Sequence, residues 1–168
     1  MTHAIVHFRD WLRDAHAMEV QAIALLSAQI ARIENYPELR ERLELHLAQT
    51  EGHASALQSL LERAQDSPSM LRDVAGRVTA AAQGMSGIMA SDEVVKATIA
   101  AYGFEHAEIA RYLVLIAAAD ELGDTEAVDV FRRILAEEQV MADWLALHLD
   151  VVTRLYLVRD ERDLLSKR

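Results

Sequence analysis

The chain contains no cysteine, which rules out disulfides, thiolate metal ligands and cysteine nucleophiles. Two prolines and six glycines in 168 residues are too few for a sandwich or barrel, which needs a turn signal about every ten residues. Basic residues are also scarce, with 17 Lys and Arg against 27 Asp and Glu and a net charge of −10. Nonspecific nucleic-acid binding, which needs clustered Lys and Arg, is therefore not expected. An anionic membrane surface is disfavoured for the same reason. No apolar run reaches the roughly 18 residues of a membrane-spanning helix. Near the N-terminus, Arg9, Asp10, Arg13 and Asp14 interrupt the apolar residues, unlike a secretory signal, so a cytoplasmic location is expected. The chain has no Gly-x-Ser-x-Gly nucleophile turn and no phosphate-cradling glycine loop, which leaves a hydrolase little to work with.

What the chain does have is helix-forming composition. Hydrophobic residues make up 52% of it but aromatics only 5%, and Leu and Ala dominate. Apolar residues recur at steps of three and four, the helical period. A first helix is expected from Thr2 to Ile33, with Ile5, Phe8, Leu12, Ala15, Ala22 or Ile23, Leu26 and Ile30 inward. Asn35-Tyr36-Pro37 breaks it, and Pro37 suits the first turn of the next helix. That second helix runs to Ala64, with Leu39, Leu43, Leu47, Thr50, Ala54, Leu57 and Leu61 inward. Gln65 to Ser69 reads as a loop, and Met70 to Ala90 as a short connecting helix weakened by Gly76, Gly84 and Gly87. A third long helix starts near Ser91, with Val94, Thr98, Tyr102, Ile109, Tyr112 and Ile116 inward, and ends at a Gly123 cap. The last runs from Thr125 to at least Val152, with Val128, Phe131, Leu135, Ala142, Leu145 and Leu149 inward.

Two long hairpins joined by a connection of roughly 25 residues predict an all-α four-helix bundle whose long crossover holds a short extra helix, the ferritin-like connectivity. A five-helix up-down bundle is the alternative. The bundle is expected over residues 1–158, with a charged tail over 159–168.

Every long helix also carries ionisable residues on its apolar stripe. They are Glu19 on the first, His46 and His53 on the second, Glu105 and Glu108 on the third, and Glu138 on the fourth. A buried carboxylate is costly without a partner or a metal. Such a residue on each helix calls for one shared cause, and a pair of divalent metal ions (iron, manganese or zinc) provides it. Register adds an independent sign. Tyr36 lies midway between Glu19 and His53, and the midpoint of Glu105 and Glu138 falls at Glu121-Leu122, so each pair is level within its hairpin. Glu105 and Glu108, an i, i+3 pair, share a face. The plainer readings are a stripe-edge carboxylate reaching solvent for Glu19, a satisfied core histidine for His46, and core filling for Tyr112, which one turn beyond Glu108 could instead hydrogen-bond a ligand carboxylate. His106 is expected to point partly away. Gly52, beside His53, suggests close helix packing there.

The stretches Leu12-Arg13-Asp14, Ala17-Met18-Glu19-Val20-Gln21, Pro37-Glu38-Leu39, His46-Leu47 with Thr50 and Gly52, Phe104 through Tyr112, and Glu137-Glu138 with Ala142-Asp143 resemble the YciE/YciF-like ferritin-like family over most of the chain. The resemblance implies a dimer and a di-iron centre with Glu19, Glu105, Glu108 and Glu138 as ligands. It also implies oxidase or peroxide chemistry linked to stress. The sequence departs from the family at three places. Gln49 stands where an acid is usual, His53 where Gln is frequent, and Met141 where Glu-x-x-His would place histidine. Gln49 and His46 are accordingly the weaker ligand candidates. The rival expectation is a metal-free bundle serving as a structural or interaction module, in which Glu19 pairs with a protonated His53.

Overall fold

The computed structural model describes residues 2–64 and 93–162. Among them are four helices: α1 (Thr2–Ile30), α2 (Pro37–Ala64), α3 (Glu93–Glu121) and α4 (Thr125–Glu161). The crossover loop, its expected short helix and the Ser91 cap lie outside the described residues, as does the end of the tail. α4 runs on through Arg159, Asp160 and Glu161, the first residues of that expected tail. Among the described residues, no helix is long and apolar enough to cross a membrane.

The helices pair as two hairpins, α1 with α2 and α3 with α4, and the hairpins pack through α1 on α3 and α2 on α4. The first turn forms where expected. Pro37 opens α2 with Glu38 in its first turn and Arg63 in its last, the charge order that suits the helix dipole. α1 ends at Ile30, short of the expected Ile33, and the freed carbonyl of Ile33 accepts from the Arg40 guanidinium at 3.2 Å. At the other turn Gly123 takes φ 72°, a left-handed conformation that closes α3. Asp124 then caps α4 by accepting from the backbone N–H of Ala127 at 3.1 Å. Arg63 reaches across to Asp124 and Glu126 at 2.6 and 2.8 Å, tying the end of α2 to the start of α4.

The interior divides into two apolar clusters. One gathers Phe8, Leu12, Leu57, Leu61, Leu115 and Phe131 toward the α3–α4 turn. The other gathers Leu26, Ile33, Leu39, Leu43, Leu145 and Tyr156 toward the α1–α2 turn. The expected stripes are corrected at their margins. Ile5 is exposed, and Leu115, Ile134 and Met141 are buried in addition to the residues expected on α3 and α4. A helix with 3.6 residues per turn drifts across a strict seven-residue stripe, so the buried face shifts by one position along a long helix.

Candidate metal centre

Between the two apolar clusters lies a layer of ionisable side chains, all buried: Glu19, His46, His53, Glu105, Glu108 and Glu138. Glu19 lies on α1 between Ala15 and Leu26, which belong one to each cluster. His46 and His53 sit two turns apart on α2, and Glu105, Glu108 and Tyr112 follow one another down the inner face of α3. Glu138 projects from α4 between Ile134 and Met141. Buried apolar side chains above and below the layer on each helix, such as Ala15 and Leu26 on α1, Leu43 and Leu57 on α2, and Ile134 and Met141 on α4, fix the face that points inward.

The two level pairs read from the hairpins meet at one depth. The Nε2 of His46 lies 3.3 Å from Glu105 Oε2 and 3.5 Å from Glu138 Oε2. The Nδ1 of His53 lies 2.9 Å from Glu138 Oε1 and 3.6 Å from Glu19 Oε2. Two groups of donor atoms result, His46 with Glu105, Glu108 and Glu138, and Glu19 with His53 and Glu138. Within each group the atoms lie within 4.8 Å of one another. Glu138 belongs to both.

Despite these short approaches, most of the facing atoms are not hydrogen-bonded. Oε2 of Glu19, Nδ1 of His53, Oε2 of Glu105, Oε1 of Glu108 and both oxygens of Glu138 are buried without a hydrogen-bond partner. Stranded buried polar atoms are costly and rare. Atoms that crowd together without aligning on one another converge on shared points, as ligands do around an ion. Four carboxylates and two imidazoles form a donor set suited to iron, manganese or zinc, so the residues fit a metal pair.

The electrostatics lead the same way. Burial raises Glu105 to about 7, with Glu138 and Arg42 pulling against the shift. Burial also raises Glu108 well above the ordinary carboxylate range, helped by the charges of Glu138, Glu19 and Glu105, and it raises Glu138 despite His53 and His46. Burial lowers His46. For His53 burial acts downward, but the adjoining carboxylates of Glu138 and Glu19 overcome it and bring the imidazole to about 10. Burial and mutual repulsion thus disfavour the charged forms of several carboxyl groups crowded around one cationic imidazole, and bound cations would favour the carboxylates instead.

Compared with the sequence expectations, His46 is at the heart of the layer rather than a satisfied core histidine. Gln49 is half-buried on the wall of a groove, its Oε1 without a hydrogen-bond partner, and lies outside both donor groups. Tyr112 does more than fill the core, because its hydroxyl donates to Glu19 Oε1. His106 is exposed, pointing away as expected, and its ring packs edge-on against Tyr102. Gly52 is exposed and a Cβ there would meet nothing within 4 Å, so close packing against a neighbouring helix is not its role among the described residues. Met141 is buried, with Arg42 Nε 3.4 Å from its sulfur. Sequence reading missed Glu137, whose Oε2 lies 2.9 Å from Nε2 of His53. Off the apolar stripe, Glu137 carried no periodic signal.

The model of the family described as Domain of unknown function (DUF892) matches residues 4–158. A crystal structure of a Xanthomonas campestris pv. campestris protein shares 34% identity, covering 95% of this chain and 99% of that one, with a TM-score of 0.79. A ferritin-like, diiron-carboxylate protein from Bacillus anthracis is 20% identical over 89% of this chain and 99% of its own, with a TM-score of 0.72. The E. coli stress protein YciF is 24% identical over 89% and 96%, with a TM-score of 0.68. The last two show the shared fold alone.

Proposed function

This chain belongs to the family described as Domain of unknown function (DUF892), and from that premise and the geometry above we propose that it is a ferritin-like metal-binding protein holding two divalent ions. The observation that carries the reading is the convergence of unpartnered carboxylate and imidazole atoms from all four helices into two groups that share Glu138. His46, Glu105 and Glu108 would hold one ion and Glu19 and His53 the other, with Glu138, which belongs to both donor groups, available to each. Gln49 stays a peripheral candidate. The oxygen-rich set favours iron, with manganese or zinc as substitutes.

An iron pair would supply electrons for reducing dioxygen or peroxide, the chemistry that the resemblance to stress-linked ferritin-like proteins suggests for a cytoplasmic homodimer. The protein's own part is to hold the ligands and manage their protons. Tyr112 pins Glu19 by donating to one oxygen, which leaves the other free to face the centre. The protons that Glu105, Glu108 and His53 retain in the metal-free protein must leave as ions bind. The apolar clusters on either side keep bulk water from the layer. A metal-free module draws some support from the 2.9 Å approach of His53 to Glu138, but it leaves buried oxygens of Glu105, Glu108 and Glu138 without a hydrogen-bond partner.

The test is metal content after purification without chelators, followed by titration of the stripped protein with Fe(II) under anaerobic conditions. Two ions per chain are expected, with both lost in Glu138→Ala and one retained in Glu19→Ala. Absence of binding at micromolar Fe(II), Mn(II) and Zn(II) would leave the metal-free module as the better account.

A further inference from the structure

The two histidines of the layer are not equivalent. Nε2 of His46 faces carboxylates of the cluster, and its Nδ1 has no hydrogen-bond partner. His53 has its Nδ1 toward Glu138 and Glu19, while its Nε2 is hydrogen-bonded outward to Glu137 at 2.9 Å. Glu137 belongs to neither donor group. It is 43% exposed and stands in a groove of about 430 Å³ between α2 and α4, with Gln49, Gly52 and Arg133 among its walls. His53 forms part of that groove's lining, so the pair marks a place where the buried layer meets the outside.

Resting on the metal-centre reading above, we propose that Glu137 is a positioning residue. It accepts the Nε2–H of His53 and so presents Nδ1 as the metal-binding nitrogen. An imidazole has two candidate nitrogens, and a hydrogen bond to one selects the other as ligand. A carboxylate behind a ligating imidazole also fixes the ring's rotation and raises its basicity. Without Glu137 the ring of His53 has no hydrogen-bond partner on its groove side. Its Nε2–H then opens to solvent, and the ring loses the contact that holds Nδ1 inward.

The probe is Co(II) added to the stripped full-length protein, followed by visible absorption and by proton NMR of the paramagnetically shifted lines. The wild type is expected to bind two ions and to show a shifted, solvent-exchangeable ring N–H from His53 that His53→Ala removes. Glu137→Ala should weaken one of the two ions by about 10- to 100-fold and lose that line to exchange, while the other histidine's line persists. Glu137→Gln keeps an acceptor oxygen and should retain the line and most of the affinity. Gly52→Ala alters the wall of the same groove, where beyond its chain neighbours a Cβ meets nothing within 4 Å, and should match the wild type. Wild-type binding of two ions, with Glu137→Ala within twofold of it and its N–H line intact, would overturn the positioning role alone. Failure of the wild type to bind Co(II) would remove the metal centre and this role with it.

Discussion

A metal-free centre of this kind should burden the fold, and Glu105→Gln measures how much. In the folded chain Glu105 is raised from 4.5 to about 7 by burial. Below pH 4.5 the carboxyl is protonated whether the chain is folded or not, and burial carries no charge penalty. Between 4.5 and about 7 the unfolded chain has released the proton and the folded chain still holds it, so stability falls as pH rises. Above about 7 the loss is complete, and the displacement corresponds to about 3 kcal/mol. Glutamine keeps the shape and carries no charge, so the stripped variant should exceed the stripped wild type by about 2–3 kcal/mol at pH 8. For a chain of this length that is a rise in Tm of about 5–10 °C. At pH 4.5 the two should agree. The assay is thermal unfolding in chelator, followed by circular dichroism at both pH values. A variant no more stable than the wild type at pH 8, or one shifted equally at both pH values, would refute charge burial as the cause. Excess metal should reverse the order, because an ion at about 1,000 times its Kd stabilises the chain that binds it by about 4.1 kcal/mol, more than the variant's advantage.

Metal affinity should rise with pH across neutrality, since Glu105 at about 7 and His53 at about 10 must both release protons to bind. Isothermal titration at pH 6 and pH 8 should show at least about tenfold tighter binding at the higher value, and a flat profile would contradict the protonated layer. Tyr112→Phe removes the hydroxyl that donates to Glu19 and should cost about 1.5–3 kcal/mol in urea denaturation of the stripped protein. An unchanged midpoint at constant slope would show that this contact carries no stability. Gly123→Ala forces a side chain onto φ 72° and should destabilise by about 1–2 kcal/mol, visible as a lower Tm. No loss there would mean that the α3–α4 turn relaxes without strain.

These expectations set stability against ligation. Inward-facing atoms of Glu19, His53, Glu105, Glu108 and Glu138 that a metal pair would satisfy have no hydrogen-bond partner without one. The two apolar clusters, with Leu12, Leu43, Leu57, Phe131 and Leu145 fully enclosed, must hold the helices together while the layer between them resists closure. Burial of side chains of that size contributes about 1.5–3 kcal/mol each, enough in sum to tolerate a polar layer of this extent.

From the sequence alone came the helical class, the breaks at Pro37 and Gly123, and the identity of the buried ionisable residues. Each of these is local, set by period, propensity and turn chemistry within a few residues. Hairpin register was legible too, because short turns fix the height of one helix against its partner. What the sequence could not decide was how the two hairpins meet, since α1 contacts α3 and α2 contacts α4 through side chains far apart in the chain. That meeting put Glu138 in both donor groups and brought His46 into the layer. It also aimed the Tyr112 hydroxyl at Glu19 and set Glu137 behind His53. Periodicity specifies which face a residue occupies. Only the packed bundle specifies which atoms on facing helices come within a bond's reach.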